Sequence, residues 1–127
     1  MLNVKKKKKL RLVFCLALIL VMWFFHNFLV SWLKVDIRNE GVSFGWNGFG
    51  VVLLNLILLI WLVWFNWRTN FFGIELILIG GWVNMIDRMV FGYVRDYWSL
   101  GAVYNNIADW IISIGVVIFV WEIWKKK

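Results

Sequence analysis

Two carboxylates, Asp96 and Asp109, stand close to the ends of apolar segments, each inside a polar cluster. The surrounding sequence reads Asn84-Met85-Ile86-Asp87-Arg88, then Gly92-Tyr93-Val94-Arg95-Asp96, then Asn105-Asn106-Ile107-Ala108-Asp109, whereas the other long runs are Leu, Ile, Val, Trp and Phe. If Asp96 is drawn across the mouth of a helix bundle toward Asp109, the two form a pair in a partly dry cleft. Like charges at such range cannot both ionise easily, so the pair holds one proton. One group is then a base for a water and the other an acid for a carbonyl or leaving nitrogen. This is aspartic-protease chemistry, and it calls for neither metal nor cofactor. The single His26 has no neighbouring His or Cys, so no metal site is expected. Serine and cysteine nucleophiles are set aside: no nucleophile elbow is expected, and Cys15 lies on the opposite half of its segment with no His at matching depth. As the only cysteine, Cys15 forms no internal disulfide and is read as a lipid-facing or packing thiol.

The elements that position these acids follow from composition. With 63% hydrophobic residues, 11 Trp and 11 Phe in 127 positions, the chain carries more apolar surface than a soluble domain of its size can bury. A membrane-crossing helix needs about 20 predominantly apolar residues. Four stretches qualify: 12–33, 48–67, 71–90 and 107–124. The runs are continuous, without the alternation of a transmembrane barrel. The expectation is an all-α integral membrane protein of one domain, spanning residues 1–127, with a basic tail over residues 1–11 and a short extended segment after the first helix.

Lys and Arg set the orientation, since positive flanks stay cytoplasmic. Both termini inside puts Lys5 to Lys9, Arg11, Arg68 and Lys125 to Lys127 on the cytoplasmic face, and leaves Lys34, Arg38, Arg88 and Arg95 on the other. The net charge of +7 is thus topogenic. It marks a bilayer partner with anionic headgroups, not nucleic acid. The first apolar run is too long for a signal h-region and lacks a small-residue cleavage site, so it is expected to remain as the first helix.

Helical spacing then groups the polar residues. Asn84, Asp87 and Arg88 stand at i, i+3 and i+4 and share one face of the third helix, with Asp87 expected to pair with Arg88 or Arg95. Asn105 or Asn106 suits the N-cap of the fourth helix, which puts Asp109 in its first turn at the positive end of the dipole. Each piece also has a plain structural reading. Polar groups in bundles often glue helices together, a first-turn acid caps, and a loop acid is solvated. His26 and Asn27 read as interfacial or bundle-facing groups, Asn55 as interhelical glue, and Trp32, Trp46, Trp67, Trp98 and Trp124 as an aromatic belt. Convergence of three motifs at one membrane depth favours the catalytic reading.

These residues also carry a resemblance. Gly81-Trp82-Val83-Asn84-Met85-Ile86-Asp87-Arg88, Phe91-Gly92-Tyr93-Val94-Arg95-Asp96 and Asn106-Ile107-Ala108-Asp109 resemble the signature of lipoprotein signal peptidase, signal peptidase II. Arg38-Asn39-Glu40-Gly41-Val42-Ser43-Phe44-Gly45 is similar to that family's Asn-x-Gly-x-x-Phe segment. The resemblance implies a four-helix bacterial inner-membrane aspartic protease that cuts prolipoproteins on the amino side of a diacylglyceryl-modified cysteine. It implies Asp96 and Asp109 as the catalytic pair, Asn84, Asp87, Arg88 and Asn106 as supporting residues, and Asn39 as part of the substrate-facing segment. Where the family has an Asp-Gln-x-x-Lys type motif in its first helix, this chain has His26-Asn27-Phe28-Leu29-Val30. Arg95 and Asn105 also depart from the family pattern.

The expected partners are lipid-modified precursor proteins and the phospholipid bilayer, and the expected state is a monomer. Two other functions compete: a divergent relative that binds lipoproteins or scaffolds membrane proteins without cutting, and a small proton or ion carrier. The carrier ranks last because the acids cluster at one face and form no chain across the bilayer.

Overall fold

Four helices carry the apolar runs, α1 (Val4–Leu33), α2 (Phe49–Thr69), α3 (Phe72–Phe91) and α4 (Ile107–Lys125). Short strands fill the two connections at one end: β1 (Ile37–Asn39), β2 (Gly41–Val42) and β3 (Trp46–Asn47) after α1, and β4 (Val94–Asp96), β5 (Trp98–Leu100) and β6 (Val103–Asn105) after α3. The computed structural model describes residues 3–35, 37–39, 41–42 and 46–127, without the side chains of 41–42 and 46–47. Asp36, Glu40 and Ser43-Phe44-Gly45 of the family-like segment lie outside the described residues.

The first helix starts at Val4, well before its apolar run, so most of the lysine tail is helical. Lysine is a good helix former, and the Asn3 side chain accepts from the Lys5 N–H at 3.3 Å to cap the start. Among the described residues, three helices, α1, α2 and α4, are long and apolar enough to cross a membrane. Helix α3 differs because it carries Glu75, Asp87 and Arg88 and is the most buried of the four. It is the central helix, packed most extensively against α4 and also touching α1 and α2.

Close approach of α3 to α4 depends on missing side chains. A Cβ on Gly80 would sit 2.5 Å from the Ala108 carbonyl oxygen, and one on Gly115 would sit 2.7 Å from the Gly73 carbonyl oxygen. The core beside this contact comprises Leu59, Phe71, Ile74, Leu78 and Met85, extended by Phe65 and Phe119. Outward faces stay apolar, with Phe24, Phe28, Trp32, Trp61 and Val117 exposed. Apolar area on this scale is untenable in water, and the chain is a multi-pass membrane protein.

At the basic end, Glu122 of α4 accepts from the Phe72 and Gly73 N–H groups at 3.0 and 2.9 Å, placing an anion at the start of α3. Arg11 pairs with Glu75 beside it. Asn55, read from sequence as glue between helices, instead donates to the Val51 carbonyl oxygen one turn back at 2.8 Å. At the other end α3 stops at Gly92, whose φ of 83° supplies the left-handed turn that sends the chain into β4. Strand β4 pairs antiparallel with β1, Ile37 opposite Asp96 and Asn39 opposite Val94. Strands β5 and β6 form a hairpin that returns the chain to α4.

Candidate active site

The site is built where β4 meets the start of α4. Asn106 is the N-cap of α4, and its side-chain oxygen accepts from the Ala108 and Asp109 N–H groups at 2.8 and 3.2 Å. Those two donors fix which end of the amide is oxygen, so its nitrogen points the other way. That nitrogen donates to Asp96 Oδ1 at 2.9 Å and to Asn84 Oδ1 at 3.0 Å. Asp109 completes the capping box by accepting from the Asn106 N–H at 3.0 Å. Its other oxygen accepts from the Asn84 side chain at 2.8 Å. Asn84 and Asn106 therefore link the two aspartates, one amide bonded to each carboxyl.

Asp96 is fully buried and Asp109 half-buried. Asn39, brought over by the β1–β4 pairing, donates to Asp96 Oδ2 at 3.1 Å. Burial raises the Asp96 carboxyl above its ordinary value, and the charge of Asp109 adds to that; the bonds from Asn39 and Asn106 work against it. An acid that holds its proton more firmly, with a second carboxyl anchored on the same residue, Asn106, has the parts needed for general acid–base work.

Asp87 has a different setting. It is fully buried and accepts from the Arg95 N–H at 3.1 Å, Arg95 Nε at 3.0 Å and Arg95 Nη2 at 2.7 Å. It also takes Trp23 Nε1 at 3.1 Å and meets His26 Nε2 at 2.8 Å. Of the two cations anticipated for it, Arg95 is the one in contact, because the turn at Gly92 folds β4 back over α3. Arg88 lies in the electrostatic field of Asp109, Asp96 and Asp87. Arg95 Nη2 also donates to Asn27 Oδ1 at 2.7 Å. Residues that the sequence left outside the site therefore belong to its support: Trp23, His26 and Asn27 of α1, together with Tyr97, beside the anticipated Arg95. The available signal was two adjacent polar residues, His26 and Asn27, deep in an apolar run.

The letters Gly41-Val42-Ser43-Phe44-Gly45 do spell Gly-x-Ser-x-Gly, which corrects the expectation that no elbow-like pattern occurs. An elbow is a strand-to-helix turn, whereas Gly41-Val42 form β2, which pairs with β3 (Trp46–Asn47). Ser43 itself lies outside the described residues.

A helical bundle for lipid surroundings, closed at one end by small strands over a buried carboxylate–amide cluster, defines a multi-pass membrane protein with the makings of a hydrolase. The model of the family described as signal peptidase (SPase) II matches residues 17–125, and the chain belongs to that family. The lipoprotein signal peptidase of Bartonella quintana (strain Toulouse) is 33% identical, over 83% of this chain and 79% of that one. That of Thermodesulfovibrio yellowstonii is 35% identical over 72% and 70% respectively. The Lactococcus lactis subsp. lactis (strain IL1403) enzyme is 28% identical over 88% and 91%. A bacterial membrane enzyme solved in meso at 1.9 Å superposes with a TM-score of 0.70 at 20% identity, over 91% of this chain and 93% of its own. Another, at 2.3 Å, gives 0.69 at 23% identity over 87% of each, a likeness of fold.

Proposed function

We propose that this protein is a prolipoprotein signal peptidase of the aspartic type, with Asp96 and Asp109 as its catalytic pair. The observation that carries the reading is the shared anchoring of both acids: the Asn106 side chain bonds Asp96 at 2.9 Å while its backbone N–H bonds Asp109 at 3.0 Å. Asp96, the buried acid with the raised carboxyl, takes up a proton once a bound precursor shuts out water and then takes the acid's part, while the half-buried Asp109 takes the base's. Asp109 removes a proton from a water as its oxygen bonds to the scissile carbonyl carbon, and Asp96 gives its proton to the carbonyl oxygen. In the collapse of the tetrahedral diol the C–N bond breaks as Asp109 gives the proton it took from water to the leaving nitrogen and Asp96 takes back one from a diol hydroxyl, which restores both acids and leaves a carboxyl product. Asn84, Asn106 and Asn39 orient the carboxyls, while Asp87 with Arg95 holds the strand that bears Asp96.

The substrate class fits this location. A diacylglyceryl-modified cysteine keeps its acyl chains in the bilayer, so its scissile peptide is presented near a membrane surface, at the level where the apolar helices give way to strands. The proposal has all four helices cross the inner membrane of a bacterium, with both termini cytoplasmic and the acids near the outer surface, as the Lys and Arg distribution favours.

The test is incubation of the purified protein in detergent with a diacylglyceryl-modified prolipoprotein and, in parallel, with the same precursor lacking the lipid. Release of the signal peptide from the modified precursor alone is expected. Binding of the precursor without release would instead make the chain a non-catalytic relative.

A further inference from the structure

The fully buried His26 ring is used by nothing in the mechanism above. It lies between two groups that both bear on Asp96. Its Nε2 meets Asp87 Oδ2 at 2.8 Å, and its Nδ1 meets the Tyr97 hydroxyl at 3.2 Å. That hydroxyl accepts from the Ile107 N–H at 3.0 Å, the first residue of α4. The Tyr97 N–H donates to the Asn105 carbonyl oxygen at 3.1 Å. Asp96 thus has two anchored neighbours in sequence: Arg95 tied to Asp87, and Tyr97 tied to the start of α4. His26 joins the two anchors, from a helix whose Trp23 and Asn27 reach only the first of them, Asp87 and Arg95.

We propose that His26 is a positioning residue that acts through Tyr97, fixing the Asp96 strand against the start of α4, where Asn106 and Asp109 stand. The hydrogen-bond chain is complete when the imidazole carries its proton on Nε2. Nε2–H donates to Asp87, Nδ1 accepts from the Tyr97 hydroxyl, and the hydroxyl accepts from Ile107 N–H, so every donor has one acceptor. Burial pushes the Tyr97 phenol up to about 12, aided by the charges of Asp109, Asp87 and Asp96, so it keeps the proton it must donate. The three elements that hold the acids are then fastened by one ring and one phenol. A slack fastening would change the distance between the carboxyls without removing either, and misplacement on that scale is expensive for a reaction that depends on orientation.

The inference rests on the proposed peptidase activity, and two variants of the same residue separate it from a plain packing role. An Asn side chain puts its amide where Nδ1 was and retains the bond to Tyr97; a Gln puts its amide where Nε2 was and retains the bond to Asp87. His26→Gln and Tyr97→Phe should each lower kcat about tenfold while KM stays within about twofold, and His26→Asn should keep kcat within about threefold. Deuterium uptake at the start of α4 gives a readout that needs no activity. It should quicken in His26→Gln and Tyr97→Phe and stay at the wild-type rate in His26→Asn. Loss of kcat in His26→Asn equal to that in His26→Gln would overturn the proposal. Unchanged uptake in His26→Gln and Tyr97→Phe would do the same. Wild-type protein that cuts no prolipoprotein would refute the peptidase reading, leaving the exchange experiment to decide the positioning role.

Discussion

Replacing Asn106 by Asp keeps the shape and the helix cap, since Asp caps as well as Asn, and removes only the donor. The variant sets an oxygen where the amide nitrogen was, 2.9 Å from Asp96 Oδ1 and 3.0 Å from Asn84 Oδ1. Two carboxylates at that separation repel by about 6 kcal/mol at an effective dielectric of about 20. Taking up one proton at pH 7 costs a carboxyl with an ordinary value near 4 about 4 kcal/mol. The smaller cost wins, so the folded variant binds one proton more than the folded wild type. The new group's folded-state value is raised above its unfolded one. Its destabilisation is therefore absent below about pH 4 and grows by about 1.4 kcal/mol per pH unit as pH rises through 5, 6 and 7. One proton can serve Asp96 or Asn84 but not both, which leaves a further pH-independent loss of about 1–3 kcal/mol. Equilibrium unfolding in mixed micelles from pH 5 to 8, variant against wild type, measures both parts. A stability difference that does not change with pH would show that the Asn106 amide nitrogen faces no acceptor carboxylate.

Asp87→Asn strands the buried Arg95 guanidinium without its anion, and should cost about 3–5 kcal/mol in unfolding experiments before any effect on turnover is considered. Asp96→Asn sets an amide nitrogen against the Asn106 donor at 2.9 Å or the Asn39 donor at 3.1 Å and should cost about 1–3 kcal/mol. Burial raises the Asp96 value in the folded state, so the wild type gains stability as pH falls through the folded value toward the unfolded one; the gap between the two melting curves should widen on acidification. Gly80→Ala must part α3 from α4 at the turn that carries Asp109, since its Cβ would lie 2.5 Å from the Ala108 carbonyl oxygen. A loss of about 1–3 kcal/mol, with reduced cleavage per folded molecule, is the expected result.

Much of the acid cluster was legible because each member is a polar residue at the end of an apolar run, where a helical period or a capping rule says which way it faces. Asn84 and Asp87 follow from spacing within α3, and Asn106 with Asp109 from the rules for a helix start. Asn39 came from resemblance alone; its contact depends on the β1–β4 register, which short strands do not announce. The partner of Asp87 could not be chosen from spacing, because Arg88 is its neighbour in sequence while Arg95 reaches it only after the Gly92 turn. His26 was the least legible. Its partner Tyr97 lies 71 residues away, and a single imidazole in an apolar helix carries no period that points to it. The strands after α3 were hidden for a related reason: three-residue strands such as Trp98–Leu100 carry too few residues for an alternation to be seen.

The central claim is that two carboxyls act together on one water. Single-turnover cleavage of a diacylglyceryl-modified prolipoprotein by Asp96→Asn and by Asp109→Asn, each verified as folded by its melting curve, tests it most directly. Neither variant should release signal peptide on a timescale at which the wild type is complete; substantial release by either would show that the chemistry proceeds without that acid.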